Sequence, residues 1–202
     1  MLAALLACIT GGAVGGAACA TAFGLRWWRR AEQHLAHLAD RDPLTGLVNR
    51  RVLDRVDPGA GQRLWVAYLD VDRFKLVNDH HGHAAGDRFL QVVATLLCTA
   101  VRPGDLVARV GGDEFVLILR DCGEVEAVGV VTRVQQRLSG GVHGCTLSAG
   151  LCEVPSPSSH RRLVPLGCVV HAADEALGEA KRLGRGAVVV APQPSGRLGG
   201  RS

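Results

Sequence analysis

Two adjacent glycines, Gly111 and Gly112, stand between two apolar runs, Leu106 to Val110 and Phe115 to Leu119. That pattern predicts a β-hairpin, because glycine accepts the positive φ that tight turns ask for. A hairpin commits the chain to an antiparallel strand pair and therefore to a fold built on a sheet. With no side chains at Gly111 and Gly112, a phosphate can come close to their backbone N–H groups. Two carboxylates, Asp113 and Glu114, follow at once. Alone they repel a phosphate, but with a divalent cation between them and it they become ligands. A solvated hairpin tip would carry the same residues without chemistry, so what matters is a further oxygen ligand elsewhere in the chain.

Such a ligand stands at the end of the run Leu64 to Leu69, a continuous apolar stretch of strand length that ends in Asp70-Val71-Asp72. A carboxylate at the end of a buried strand is well placed to hold a cation. Upstream, Asp42-Pro43-Leu44-Thr45-Gly46-Leu47 reads as a turn into a helix near Asn49 to Val56. Phe89, Val93, Leu96, Leu97 and Ala100 mark one face of a long helix. After the hairpin come a helix around Val125 to Leu138, a strand around Thr146 to Cys152, a loop over Pro155 to Ser159, a helix around Val169 to Leu183 and a strand near Ala187 to Val190. This order predicts the α+β class, a central mixed sheet flanked by helices.

A chain of 202 residues with 48% apolar content suits one domain with a short extension. The net charge of +4 comes without a long basic block interleaved with aromatics, so nucleic acid is not indicated. Seven dispersed cysteines, Cys8, Cys19, Cys98, Cys122, Cys145, Cys152 and Cys168, with no CxxC pair, read as reduced thiols in a buried cytosolic core. Met1 to Leu25 lacks any charged residue, enough for the ~20 residues that cross a bilayer core. Trp27 and Trp28 suit an interface, and Arg26, Arg29 and Arg30 put that end on the cytoplasmic side. A cleavable signal peptide is the competing reading, weakened by the absence of a basic segment before the apolar run. Gly11 with Gly15 and Gly12 with Gly16 have the spacing of close helix packing, or merely reflect an Ala/Gly-rich stretch. Leu35 and Leu38 indicate a short amphipathic linker helix. The expected division is a transmembrane anchor over 1–28, the linker helix over 29–41, a catalytic domain over 42–191 and a disordered tail over 192–202. The expected location is the inner or plasma membrane, single-pass, with the catalytic domain cytoplasmic.

Four motifs in order carry a family resemblance: Asp42 to Arg50 (DPLTGLVNR), Asp70 to Asp79 (DVDRFKLVND) continued by Gly82 to Asp87 (GHAAGD), the hairpin Gly111 to Phe115 (GGDEF), and Ala180 to Arg185 (AKRLGR). The chain resembles the GGDEF-family diguanylate cyclases from Asp42 to about Val190. The resemblance implies a fold similar to nucleotidyl cyclase and polymerase palm domains, and condensation of two GTP into cyclic di-GMP with release of two pyrophosphates. It implies that Asp70, Asp113 and the Val71 main-chain carbonyl hold Mg²⁺ or Mn²⁺, with Glu114 as an auxiliary contact and Asp113 taking the proton from the 3′-hydroxyl. Lys75 would stabilise the transition state, and Lys181 and Arg185, read as i and i+4 on one helix face, would grip phosphates. Asn78 and Asp87 match the guanine readers, supplying the amide and carboxylate that guanine needs. Phe74, Gly111 and Gly112 complete the expected substrate contacts. Arg102 and Asp105 match the RxxD motif of a product-inhibition site, where arginine grips the guanine edge and aspartate accepts from the other side.

Each assignment has a plainer counterpart: helix capping for Asp87, solvated helix-end charges for Lys181 and Arg185, a Pro-Gly turn for Arg102 to Asp105. His80, His81 and His83 in a glycine-containing loop could be taken for a zinc site, but read better as structural. Gly178 stands where the family has tyrosine, Gly186 where asparagine is common, and Arg73 where an aromatic or histidine is usual. These departures predict a looser Lys181 to Arg185 region. The expected partners are GTP, cyclic di-GMP as inhibitor, a second copy of the chain, because each protomer would hold one GTP, and the membrane. A non-catalytic receptor for GTP or cyclic di-GMP is the alternative of a different class.

Overall fold

The structure, a computed structural model, describes residues 40–57, 63–139, 145–155 and 164–194. The chain divides into units 1–41 and 42–202, and every element below belongs to the second. The expected anchor over 1–28, nearly all of the linker helix and most of the tail lie outside the described residues. Among the described residues no helix is long and apolar enough to cross a membrane.

The long apolar runs become strands. Leu64–Val71 forms β2, buried along its whole length, and the hairpin strands are Leu106–Arg109 (β3) and Glu114–Arg120 (β4). With Val48–Asn49 (β1), Leu147–Glu153 (β5) and Val188–Ala191 (β6) they make one six-stranded sheet, order β1-β3-β4-β2-β5-β6. β1 lies parallel to β3 and β6 parallel to β5, while the four central strands are antiparallel. The sheet is thus mixed, in agreement with the α+β expectation.

Strand alternation sorts the core into two layers. Trp65, Ala67, Leu69 and Val71 of β2, with Phe115, Leu117 and Leu119 of β4, pack with residues of His83–Ala100 (α3) and Glu124–Ser139 (α4). Leu64, Val66 and Tyr68, with Val116 and Ile118, pack with Val169, Ala173 and Leu177 of Leu166–Arg182 (α5). The helix expected near Asn49 to Val56 shrinks to one turn, Arg50–Leu53 (α1), capped by the Asn49 side chain.

Two expectations need correction. The segment carrying His80 and His81 is no loop: Phe74–His81 forms α2, and His83 opens α3 after Gly82, whose φ is +78°. The hairpin glycines also act for another reason than the one expected. Neither has a positive φ; a Cβ on Gly111 would instead run into the Glu114 carboxylate, and at Gly112 it would meet nothing.

The cysteine reading holds in part. Cys122, Cys145 and Cys152 are free and buried, but Cys98 is exposed and Cys168 intermediate.

Candidate active site

Pairing of β2 with β4 sets Asp70 opposite Glu114, and the Val71 N–H donates to the Asp113 carbonyl at 3.1 Å. The strand end and the hairpin tip are therefore joined by backbone, and the distant ligand sought in the sequence lies beside the hairpin acids. Alternation turns Asp70 to the α5 side of the sheet, where Lys181 in the last turn of α5 reaches it, Nζ to Oδ2 2.8 Å. Burial pushes the Asp70 carboxyl above its ordinary value; the Lys181 ammonium works against this, and the charges of Asp113 and Asp72 work with it. The upward shift is chiefly the cost of holding a carboxylate away from water, to which the neighbouring acids add a smaller part, and a bound cation would offset both.

The donors that Asp70, Asp113 and a main-chain carbonyl offer are hard oxygens, the chemistry that Mg²⁺ accepts together with water and phosphate oxygens. Among the described residues no three or more His, Cys, Asp or Glu side chains are gathered as a metal group. A cation here relies on oxygens from substrate or water as well. Glu114, paired with Asp70 across the two strands, faces the α5 side near the Tyr68 phenol. Burial pushes the Tyr68 phenol up to about 12, with the Glu114 and Asp174 charges adding to it.

Lys75, exposed in the first turn of α2, and Asn78, one turn on, sit on the helix that follows Asp72 directly. Gly86 makes room for Asn78: a Cβ there would collide with the Asn78 amide oxygen and crowd the Phe74 ring. Phe74 stacks with Phe89, centroids 6.5 Å apart, tying α2 to α3. Asp87, exposed and next to Gly86, follows on α3.

Lys181 and Arg185 are not on one helix face. α5 ends at Arg182, and Arg185 has a φ of +69°, beyond the helix. Both nonetheless turn to the carboxylates at the end of β2, Arg185 Nε lying 3.9 Å from Asp72 Oδ1. Gly178 is exposed with open space around it, so the tyrosine missing there removes surface packing and no core contact. Gly186 has a φ of +62°, a conformation that glycine and asparagine share, and its N–H is hydrogen-bonded. The looseness expected at this end does not follow from Gly186.

Arg102 and Asp105 line one cavity of about 270 Å³ together with Glu126 and Arg133. Asp105 also holds the turn, accepting from the Arg102 N–H and the Arg120 N–H, both at 2.9 Å, while Arg102 pairs with Glu126 at 2.8 Å. Arg133, a helix residue 31 positions after Arg102 (133 − 102), carries no local sequence signal.

Two residues whose roles the motifs do not reveal position the hairpin. Arg109 donates to the Gly112 carbonyl through Nη2 at 2.7 Å and Nε at 3.2 Å, and through Nη1 to Asp42 at 2.9 Å. Asp42 in turn accepts from the Thr45 N–H and hydroxyl. The opening motif thus acts as a bracket for the hairpin tip, a role its turn-forming residues do not announce.

A mixed sheet with antiparallel centre, carboxylates at one strand end and on the adjacent hairpin, and cationic side chains around them define an α+β domain with an acidic site suited to a metal-bound phosphate. The family model described as diguanylate cyclase, GGDEF domain, matches residues 39–187, and the chain belongs to this family. It is 36% identical over 176 residues to the probable diguanylate cyclase DgcE of Escherichia coli K12, covering 80% of this chain and 16% of that protein. It is also 36% identical over 155 residues to the diguanylate cyclase DgcZ of the same organism, covering 73% of this chain and 52% of that protein. The chain therefore spans from a sixth to about half of these relatives. Among solved structures, the coiled coil and GGDEF domain of DgcB from Caulobacter crescentus in complex with c-di-GMP superposes with a TM-score of 0.74 at 26% identity, covering 88% of this chain and 99% of that one.

Proposed function

We propose that the chain condenses two GTP into cyclic di-GMP and two pyrophosphates. The observation that carries this reading is the β2–β4 pairing, which sets Asp70 opposite Glu114 and ties Val71 to Asp113 in a member of a family described as diguanylate cyclases. A receptor that only binds nucleotide has no need of these acids together with Lys75.

Each 3′-hydroxyl attacks the α-phosphate of the other GTP, so the reaction needs two copies of the chain related by a two-fold. Asp70, Asp113 and the Val71 carbonyl are the residues that would hold Mg²⁺ or Mn²⁺, which when bound neutralises phosphate charge and makes the hydroxyl more acidic. Asp113 takes the hydroxyl proton. Lys75, Lys181 and Arg185 neutralise the phosphates, with Gly111 and Gly112 leaving their approach unobstructed. Asn78 and Asp87 read the guanine edge against Phe74. Arg102 and Asp105 bind product and hold the two active sites apart. Residues 1–28 anchor the chain in the inner or plasma membrane, with the catalytic domain, residues 42–191, on the cytoplasmic side.

Turnover of GTP measured against Mg²⁺ concentration tests this assignment. Asp113→Ala is expected to lose at least about a hundredfold in turnover, while an Asp113→Ala chain of unchanged activity would remove Asp113 from the role of base.

A further inference from the structure

The carboxylate after the proposed metal ligand has no place in the mechanism above, yet it is the more deeply buried of the two. Asp72 is 2% exposed against 8% for Asp70. A buried carboxylate must be satisfied by donors, and Asp72 has an unusually full set. Its Oδ2 accepts from Thr146 Oγ1 at 2.7 Å and from the Gly186 N–H at 2.9 Å, and the Ser148 hydroxyl reaches both oxygens at 2.8 and 2.9 Å.

The donors come from two places. Thr146 and Ser148 belong to β5 or its approach, whereas Gly186 belongs to the loop after α5 that carries Arg185. In that loop three successive residues, Gly184, Arg185 and Gly186, have φ of +118°, +69° and +62°. A left-handed arginine is disfavoured and persists only where surroundings impose it. The surroundings here hold the Gly186 peptide at both ends. Its N–H is taken by Asp72 and, at 3.1 Å, by Ser148 Oγ, and its carbonyl accepts from Gln135 Nε2 at 3.2 Å. The Arg185 Nε lies 3.9 Å from Asp72 Oδ1.

We infer that Asp72 is a positioning residue for Arg185: it anchors the loop after α5 to the end of β2 and so sets where the guanidinium meets the outer phosphates of the nucleotide. The inference rests on the proposed phosphate role of Arg185. A carboxylate suits this place, because the fixed Gly186 N–H and two hydroxyls all present donors to it. An asparagine would turn an amide N–H₂ toward at least one of them, and only the hydroxyls can rotate to accept.

The test uses the full chain with Mg²⁺ and compares equilibrium binding of GTP and GDP for wild type, Asp72→Asn, Arg185→Ala and the double variant. Loss of a charge-assisted anchor is expected to weaken GTP binding about tenfold and GDP binding much less, with the double variant no weaker than Arg185→Ala alone. Wild-type GTP affinity in Asp72→Asn, or losses that multiply in the double variant, would overturn the inference. Amide exchange at Gly186 supplies an arm that needs no nucleotide. Faster exchange there in Asp72→Asn, with β2 and β5 unchanged, supports the anchor; unchanged exchange refutes it. A wild-type chain that binds no GTP strikes the functional reading, and the exchange arm still decides the anchor. Should Asp72→Asn fail to fold, Ser148→Ala keeps the carboxylate and is expected to shift both readouts in the same direction by a smaller factor; no shift in either would overturn the inference.

Discussion

Asp42 shows how much one side chain of a turn motif can do. Burial alone would raise its carboxyl, but the Thr45 hydroxyl, the Arg109 guanidinium and the Thr45 N–H outweigh this and hold it below the ordinary value of 3.8. A depressed carboxyl stabilises the fold above its unfolded pKa and loses that contribution as pH falls through the folded value. The melting-temperature gap between wild type and Asp42→Asn is therefore expected to be full near about pH 6 and to close below about pH 4; a gap independent of pH would refute the bracket. Gly178 gives the opposite case, an exposed helical glycine where an added Cβ would meet nothing within 4 Å. Gly178→Ala is expected to raise stability by about 0.5–1 kcal/mol in thermal unfolding. At Gly111 the sequence pointed to the right residue for the wrong reason, because a clash with a side chain three residues on leaves no local pattern.

At the scale of elements, what could be read from the chain was what hydrophobic runs dictate. β2 and β4 declare themselves as unbroken apolar runs of strand length, and α3 because its apolar residues recur with the period of a helix. α2 does not, since Val77 is its single buried residue and no apolar stripe marks it. The same applies to the end of α5, where a Lys-to-Arg spacing of four looked helical but the helix stops at Arg182 and two positive-φ residues, Gly184 and Arg185, lead into Gly186. Asp70 and Asp113 were legible as acids beside apolar strands, while the Arg109–Asp42 bracket joins residues 67 apart and could not be. Gly150 is the least conspicuous of the residues that position the site. A Cβ there would strike the backbone of Ala173 and Leu177, so its absence lets α5 lie directly on β5 and deliver Lys181 to Asp70. Gly150→Ala is expected to destabilise by about 3 kcal/mol, as overpacking against rigid backbone does, measured by denaturant midpoint. A variant as stable as wild type would show that α5 can shift freely.

For the whole molecule the question is how two half-sites meet and what keeps them apart. Arg102 is exposed, paired only at the surface with Glu126, and its side chain supports no core contact, whereas Asp105 also holds backbone. Arg102→Ala is thus the cleaner probe of product control: inhibition of turnover by added cyclic di-GMP is expected to weaken about tenfold or more, with the melting temperature nearly unchanged. Retained inhibition would take Arg102 out of the product site. The central claim is that one chain supplies half of a two-GTP reaction, and it is tested most directly by identifying the product that the full chain forms from GTP and Mg²⁺ across a dilution series. The expected result is cyclic di-GMP with two pyrophosphates per product, at a rate per chain that falls as dilution separates the copies; no cyclic di-GMP at concentrations where the chain is dimeric would contradict it.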